Sequence, residues 1–526
     1  MKKRILAGML AMLIIGTGCA NGSSESNIPP DNESEGLTGP LSESDSSGSG
    51  PSVRKDEEDL SALSGTEELT DDSFYDESSK DESFYNESYP GDRLLSDEAI
   101  GVRNEYVIYC PDTELPDLFK ACYPGYEAVS DPSEDNGRMV AEGRIGDMKI
   151  IWIISDYFYD SHNEERLDEL LIRQQEEGAS DYDWVDLFVL DEVSLEKYIE
   201  DGVNIALDLR MDLRIPLLHF RSQLPYTQEL ASVGMHLRGA ALDISPGVFM
   251  YRRSIAKEVL GSDDPETVSE AVSSWESFRE TAGKAKNAGY KMLAGYDDAF
   301  DVYAQSAEEW YSDDGTIHVD DRLMEWVETT KEFAQEGCCG EMQMWSDEWM
   351  KSITGKGDVF GYFLSAEEIC TIRDSVEKDN ADSFGDWGIA AGPDAWYRGG
   401  TWLCAAVNSP NTRFSGKLID DLTCNSDVMR EIYLKTGLTV NNDKVLLEQE
   451  DTFETAFFAG QETGPVFYEA AQRIKKPMAD GDKWALDDIF QEAYHPYFEG
   501  KCSSNDALAS FYQVAKSMIF TEDEEW

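Results

Sequence analysis

From Asn104 onward, short runs of branched and aromatic residues alternate with segments whose apolar residues recur every three to four positions. Runs of the first kind predict buried strands, and segments of the second kind predict helices with one inward face. Tyr106 to Tyr109 is the first predicted strand, followed by a helix from about Thr113 to Cys122. Met148 to Ile154 is the next strand, after which Leu167, Leu170, Leu171 and Gln174 fall on one helix face. Asp183 to Leu190 is a third strand and stops at Asp191 and Glu192, where another helix starts. Such alternation predicts an open α/β sheet, in which ligands bind beyond the carboxyl ends of the strands. Tyr109, Asp191 and Glu192 lie at such ends. For the two acids, stabilisation of a helix start by the backbone dipole explains the position equally well.

Gly239 to Tyr251 is an extended apolar segment broken by Ser245, Pro246 and Gly247, a pattern that predicts a crossing between two lobes. A long helical region is predicted from about Thr267 to Asn287, with Val272, Trp275, Phe278 and Ala282 facing inward. Met292 to Gly295 leads into Tyr296, Asp297, Asp298 and Phe300, a strand end rich in acids and aromatics. Asp313-Asp314-Gly315 predicts a turn before a helix from about Asp321 to Gly337, and the spacing of its acids is not that of a calcium loop. Trp345 precedes a strand over Asp358 to Phe363. The stretch from Gly385 to Val407 then places two apolar runs on either side of a loop, Pro393 to Arg398, that ends in Gly399-Gly400. Paired glycines permit φ > 0 and a close approach of another chain or a ligand. Amphipathic helices are predicted at about Phe414 to Leu422, Val428 to Thr436, Phe453 to Phe458, Lys483 to Tyr494 and Ala507 to Ile519.

The chain's 526 residues exceed one ordinary domain, so at least two lobes are expected. Against 106 Asp and Glu there are 44 Lys and Arg, a net charge of −62. A field of that sign disfavours nucleic acid and anionic membranes while leaving neutral or cationic small molecules open. Residues 1–18 read as an export signal: Lys2-Lys3-Arg4 is basic, Ile5 to Ile15 is apolar, and Gly16-Thr17-Gly18 precedes Cys19. The apolar run is short for a bilayer span. A small residue directly before the cysteine resembles the bacterial lipobox, although Gly16 stands where Leu is usual. That resemblance implies lipidation of Cys19. Residues 19–97 are rich in Ser, Gly, Asp and Glu, a composition that predicts a disordered tether. Within it, Asp72 to Ser78 recurs as Glu82 to Ser88, a repeat that fits linker duplication or an acidic-aromatic docking motif. Eight cysteines follow Cys19, with no CxxC pair among them; several lie in apolar runs, where buried free thiols are expected.

The order of these blocks resembles the extracellular solute-binding proteins of carbohydrate ABC transporters, family 1, over roughly 100 to 526. The resemblance is carried by the acid-ended strand through Asp191, Gly247 to Arg253, Ser274 to Phe278 and Gly357 to Phe360. The Gly-Pro to Gly-Gly-Thr-Trp loop, Thr436 to Asn442 and Tyr497 to Lys501 complete it. It implies a two-lobe α/β fold of the periplasmic-binding-protein type (type II), with hinge-connected lobes behind the disordered tether. One lobe would comprise about 100–245 and 396–448, the other about 250–393 and 450–526, within a binding domain of 98–526. Ser245, Pro246, Gly247, Gly399 and Gly400 would serve as hinges. The implied activity is capture of a sugar or oligosaccharide for delivery to transporter permease subunits, by a lipid-anchored monomer on the outer face of the cell membrane.

A pyranose has an apolar C–H face and a rim of hydroxyls, so it calls for aromatic platforms with carboxylate partners. The candidate polar contacts are Asp191, Glu192, Asp297 and Asp298, with Tyr109 at the first strand end; the candidate platforms are Phe300, Trp345, Tyr362 and Trp402. The loop after Gly357 to Phe360, Phe363 to Glu368, has no Trp where many sugar binders place one, which bears on the ligand class. No cofactor and no metal is expected: HExxH, GxSxG and GxxxxGK[ST] are absent and the five histidines are scattered. Two other readings stand beside binding without catalysis: a glycoside hydrolase with paired carboxylates, and an acidic surface scaffold without a small-molecule ligand.

Overall fold

The structure is a computed structural model describing residues 103–135, 138–155, 161–175, 184–200, 205–307, 310–311, 316–378, 381–448, 456–475 and 481–522. The signal segment, Cys19, the tether with its repeat and the turn at 313–315 lie outside the described residues.

The predicted strands before residue 200 assemble with later ones into a seven-stranded sheet. Its strands are β1 (Glu105–Cys110), β2 (Tyr126–Asp135), β3 (Arg138–Ile145), β4 (Met148–Ile154), β5 (Leu187–Leu190), β8 (Ala240–Ala241) and β12 (Trp402–Ala405), in the order β2-β3-β4-β1-β5-β12-β8. The short strands β6 (Ser232–Val233) and β7 (His236–Leu237) pair only with each other. β1 runs parallel to β4 and β5, whereas β12 pairs antiparallel with β5, Trp402 opposite Leu190. β1, β4 and β5 are almost wholly buried, as strands covered on both faces must be. Asp186 pins the entry to β5: its carboxylate accepts from Val107 N at 2.8 Å and Ser409 Oγ at 2.6 Å. The hairpin β2–β3 has no counterpart in the predicted elements. β2 is acidic and mostly exposed, and at the edge of a sheet such a strand needs no apolar face.

A second, antiparallel sheet orders β10 (Gly361–Ser365), β9 (Gly247–Arg252) and β11 (Trp387–Ala390), with β9 in the middle. Alternation along β9 divides its side chains between two cores. Phe249 and Tyr251 join Phe278, Phe300, Trp326 and Phe363 on one face; Val248 and Met250 join Trp349, Tyr362, Leu364 and Trp387 on the other. The strand predicted over Asp358 to Phe363 starts three residues later, at Gly361, and ends at Ser365. Val359 makes only an isolated bridge to Lys291. The helical region predicted over Thr267 to Asn287 is built from two helices, Pro265–Val272 and Trp275–Ala288. Ser274 breaks it: its side chain accepts from Ser277 N while Ser277 reaches back to Ser274 N, a reciprocal cap that starts a new helix.

The sheets are linked where the sequence placed its crossings. β8 belongs to the large sheet and β9 to the small one; β11 belongs to the small sheet and β12 to the large one. The two connections run antiparallel, with Arg398 N donating to Ser245 O (3.0 Å), Gly247 N to Trp396 O (2.8 Å) and Leu242 N to Thr401 O (2.8 Å). Thr439 to Asn441 lies alongside them through Ile244 N to Thr439 O (2.8 Å) and Asn441 N to Leu242 O (3.1 Å). Gly399 and Gly400 have φ of 95° and 118°, values that carry a steric penalty for any side chain. Gly247 is required for another reason, since a Cβ there would run into the Trp396 indole. The eight cysteines within the described residues are free thiols, five of them buried. No helix among the described residues is long and apolar enough to cross a membrane.

Candidate functional site

β1 and β5 run parallel, so their carboxyl ends open on the same edge of the large sheet, and a cavity of about 340 Å³ lies there. The sheet side supplies Cys110 and Pro111 after β1, Leu115 and Leu118 of the helix Glu114–Cys122, and Leu190 and Asp191 at the end of β5. The crossing segments supply Leu242, Asp243, Gly400 and Thr401. Glu367, Cys370 and Arg373 come from the helix Ala366–Lys378, which follows β10 of the small sheet. Among the described residues the lining is aliphatic walls studded with carboxylates, with no aromatic ring.

Backbone donors fix several of those carboxylates. Asp191 caps the helix Glu192–Ile199 by accepting from Ser194 N at 2.8 Å. Asp112 accepts from Glu114 N at 2.8 Å, at the start of the neighbouring helix. Asp243 is buried and accepts from Thr401 N at 2.7 Å. Glu367 lies against the crossing loop, its carboxylate filling the space where a Gly399 side chain would begin. The guanidinium of Arg373 pairs with Asp374 at 3.1 Å.

A charged cluster forms around the same loop. Gly399 N donates to the buried Glu192 carboxylate at 2.6 Å. Burial, then the neighbouring charge of Asp191, pushes the Glu192 carboxyl up to about 7. Arg398 donates to Asp301 at 3.0 Å and lies 3.9 Å above the Trp484 ring, joining the loop to helices that pack around the small sheet. Burial also raises Glu368 to about 7 and Asp488 to about 6, against the lowering effect of Arg398. Among the described residues no group of three or more His, Cys, Asp or Glu side chains is placed to hold a metal ion.

The expected site residues divide clearly. Asp191 lines the cavity and Glu192 sits directly behind it; of the expected hinges, Gly400 lines it while Ser245 and Gly399 bond to residues around it. Pro246 bridges to Tyr397. The others stand elsewhere. Tyr109 is 1 % exposed within the first core, where burial lifts its hydroxyl up to about 12. Phe300, Tyr362 and Trp402 are each under 2 % exposed and correct the platform expectation: no face of these rings is open to a solute. Phe300 packs edge-on to Trp326, the Tyr362 hydroxyl bonds Ser352 Oγ at 2.8 Å, and Trp402 Nε1 donates to Thr227 O at 3.2 Å. Asp298 is buried as an acceptor for Ala294 N, Gly295 N and Trp349 Nε1, while Asp297 pairs with His495 at 2.7 Å. Trp345 is half-buried at φ 63°, 4.9 Å from Trp349 and outside the cavity.

Glu367, Arg373 and Asp243 are lining residues absent from the expected set. A signal for the first two existed. Ser365-x-x-Glu368 is a capping pattern, and Glu368 accepts from Ser365 N at 2.8 Å. It makes the segment read as loop the start of a helix, whose following turns carry Glu367 and Arg373 to the cavity.

No protein-family model matches the chain, and no curated protein matches it either. Solved structures do match. A crystal structure described as extracellular solute-binding protein family 1 is 17 % identical with a TM-score of 0.61, covering 78 % of this chain and 99 % of that one. A family 1 extracellular solute-binding protein from Alicyclobacillus acidocaldarius is 12 % identical with a TM-score of 0.56, over 79 % and 98 % of the two chains. The galacto-N-biose/lacto-N-biose I-binding protein of the ABC transporter from Bifidobacterium longum, in complex with lacto-N-biose, is 15 % identical with a TM-score of 0.53, over 80 % and 98 %. At these identities the likeness is one of architecture, and on that ground the chain has the two-lobe α/β fold of the extracellular solute-binding proteins.

Proposed function

We propose that this chain is the solute receptor of a carbohydrate ABC importer, capturing a sugar or oligosaccharide between its lobes and delivering it to the permease subunits without chemical change. The observation that carries the reading is the position of the cavity. It opens at the strand carboxyl ends of one sheet, faces a helix of the other, and borders the crossing segments. In an open α/β architecture that is where ligands bind. The neighbours solved with solute include a lacto-N-biose complex and a cyclo/maltodextrin-binding protein complexed with maltotetraose. In this reading Asp191, Asp243 and Glu367 bond hydroxyls, Leu115 and Leu438 pack the apolar face, and Gly399 and Gly400 absorb the hinge rotation. One lobe comprises about 100–245 and 396–448, the other about 250–393 and 450–526. Cys19 carries the lipid, 19–97 is the tether, and the receptor works as a monomer on the outer face of the membrane.

A melting screen of the full chain against a broad glycan panel tests this. A ligand that binds only the folded state raises the midpoint, so at least one sugar should shift it with no reducing ends released. Release of reducing ends would replace the reading with a hydrolase, and a flat panel would remove the sugar.

A further inference from the structure

We propose that Arg398 is the positioning residue of the hinge. It moors the crossing from β11 to β12 to the small-sheet half, so that the pivot falls one residue on, at Gly399. The bond from that glycine to Glu192 is then the contact that parts when the halves open. This rests on the receptor reading above and deepens it, by naming the residue that sets where the receptor turns.

Partners change along the chain at that point. As far as Arg398, the residues after β11 hold to the small-sheet core. Arg473 donates to Gly392 O at 3.1 Å and to Pro393 O at 2.9 Å. Asp394 accepts from Trp275 Nε1 at 2.8 Å and from Arg322 at 2.9 Å, and Trp396 is buried in that core. Arg398 closes the series with its Asp301 pair and its place over the Trp484 ring, and Glu368 and Asp488 add their attraction. Asp301 and Trp484 stand on the helices Phe300–Ala304 and Gly481–Phe498, whose Phe300, Leu486 and Phe490 pack in the same core. From Gly399 onward the partners belong to the other half. Gly399 N donates to Glu192, which begins a helix packed through Leu195 and Tyr198 into the large-sheet core. Thr401 N donates to Asp243, and Trp402 opens β12 of the large sheet.

The two grips are unequal. A guanidinium that is paired at its edge and stacked on its face is held twice over, whereas Gly399 is tied to the large-sheet half by one backbone N–H bond. The single bond yields first. Gly399, at φ 95°, is also where the backbone turns most freely, because it carries no Cβ. The other crossing agrees: Ser245 Oγ accepts from Glu367 N and Pro246 O from Ala366 N, both at 3.1 Å, so these two residues travel with the small-sheet half. The Tyr397 ring lies 5.2 Å from Tyr226 of the large-sheet half, an apolar contact without direction that a small rotation preserves.

Amide hydrogen exchange on the full chain, read residue by residue and corrected for sequence, tests this. The Gly399 amide should exchange at least about tenfold faster than the Arg398 amide, which bonds Ser245 O on the moored side of the pivot. Arg398→Ala should speed exchange at position 398 and close or reverse that gap. Arg398→Lys keeps the pair with Asp301 but not the flat face on Trp484, and should restore part of it. Trp484→Phe, which thins the stack at constant charge, should narrow the gap in the same direction. The β9 amides should keep their rates throughout. A Gly399 amide as slow as that of Arg398 in the wild type overturns the inference, and so does a gap that survives Arg398→Ala. Faster exchange in β9 in all three variants makes Arg398 a residue of stability alone and overturns it too. These rates are read without solute, so a glycan panel that shifts no melting midpoint removes the receptor reading and leaves the exchange result to decide the pivot.

Discussion

Asp298 and Glu192 come from similar acidic pairs in the sequence, Asp297-Asp298 and Asp191-Glu192, and both are buried. Asp298 serves the fold. It gathers two backbone N–H groups and the Trp349 indole, so Asp298→Ala leaves three buried donors without their acceptor. Urea denaturation should show a loss of about 3 kcal/mol, the scale for breaking a buried hydrogen-bonded group. Glu192 serves the crossing loop through Gly399 N. Burial pushes the Asp298 and Glu192 carboxyls up to about 7, so the folded state holds protons that the unfolded chain has released. Their contribution is fully present below the unfolded values near 4 and is lost as pH rises through 7. Stability measured in urea should therefore fall from pH 5 to pH 8. For Glu192 alone the loss is on the order of 3 kcal/mol, and Glu192→Gln should flatten the slope by that amount. A stability rising across this window would contradict the assignment.

At the scale of elements, the Ser274 cap explains why one amphipathic pattern became two helices. Ser274→Ala should cost about 1 kcal/mol in chemical denaturation, the usual value of a lost N-cap. Gly399→Ala meets both a φ of 95° and the Glu367 carboxylate, so it should cost about 2 kcal/mol and weaken any ligand that depends on the crossing loop. Strands and helices were legible wherever an apolar face declared its period: β4 was predicted at its observed bounds, and the helix ending at Cys122 within one residue of its start. The crossings were legible because Ser245-Pro246-Gly247 and Gly399-Gly400 interrupt apolar runs. The edge hairpin β2–β3 was not, since an exposed acidic strand carries no apolar signal. Of the expected ligand contacts, Asp191 lines the cavity, at a place a strand end fixes. Phe300, Tyr362 and Trp402 were misassigned because an aromatic at a strand end has the same sequence signature whether its ring faces a cleft or a core. The faces of Phe300 and Trp402 are decided by partners more than 25 residues away, Trp326 and Thr227, and that of Tyr362 by Ser352 on a helix, none of which periodicity reaches.

For the whole molecule, the account turns on two sheets with separate cores that meet at paired crossing segments, where an aliphatic and acidic cavity lies between them. Burial of the large aromatics commits those cores to stability, each contributing up to about 3 kcal/mol. The most direct test fills the cavity. Leu438, in the lining and only partly buried, can be replaced by Trp without opening either core. Calorimetry should then show a saccharide that binds the wild-type chain losing at least about tenfold in affinity to Leu438→Trp, at an unchanged melting midpoint. Undiminished binding to the filled variant would place the solute elsewhere and contradict the account.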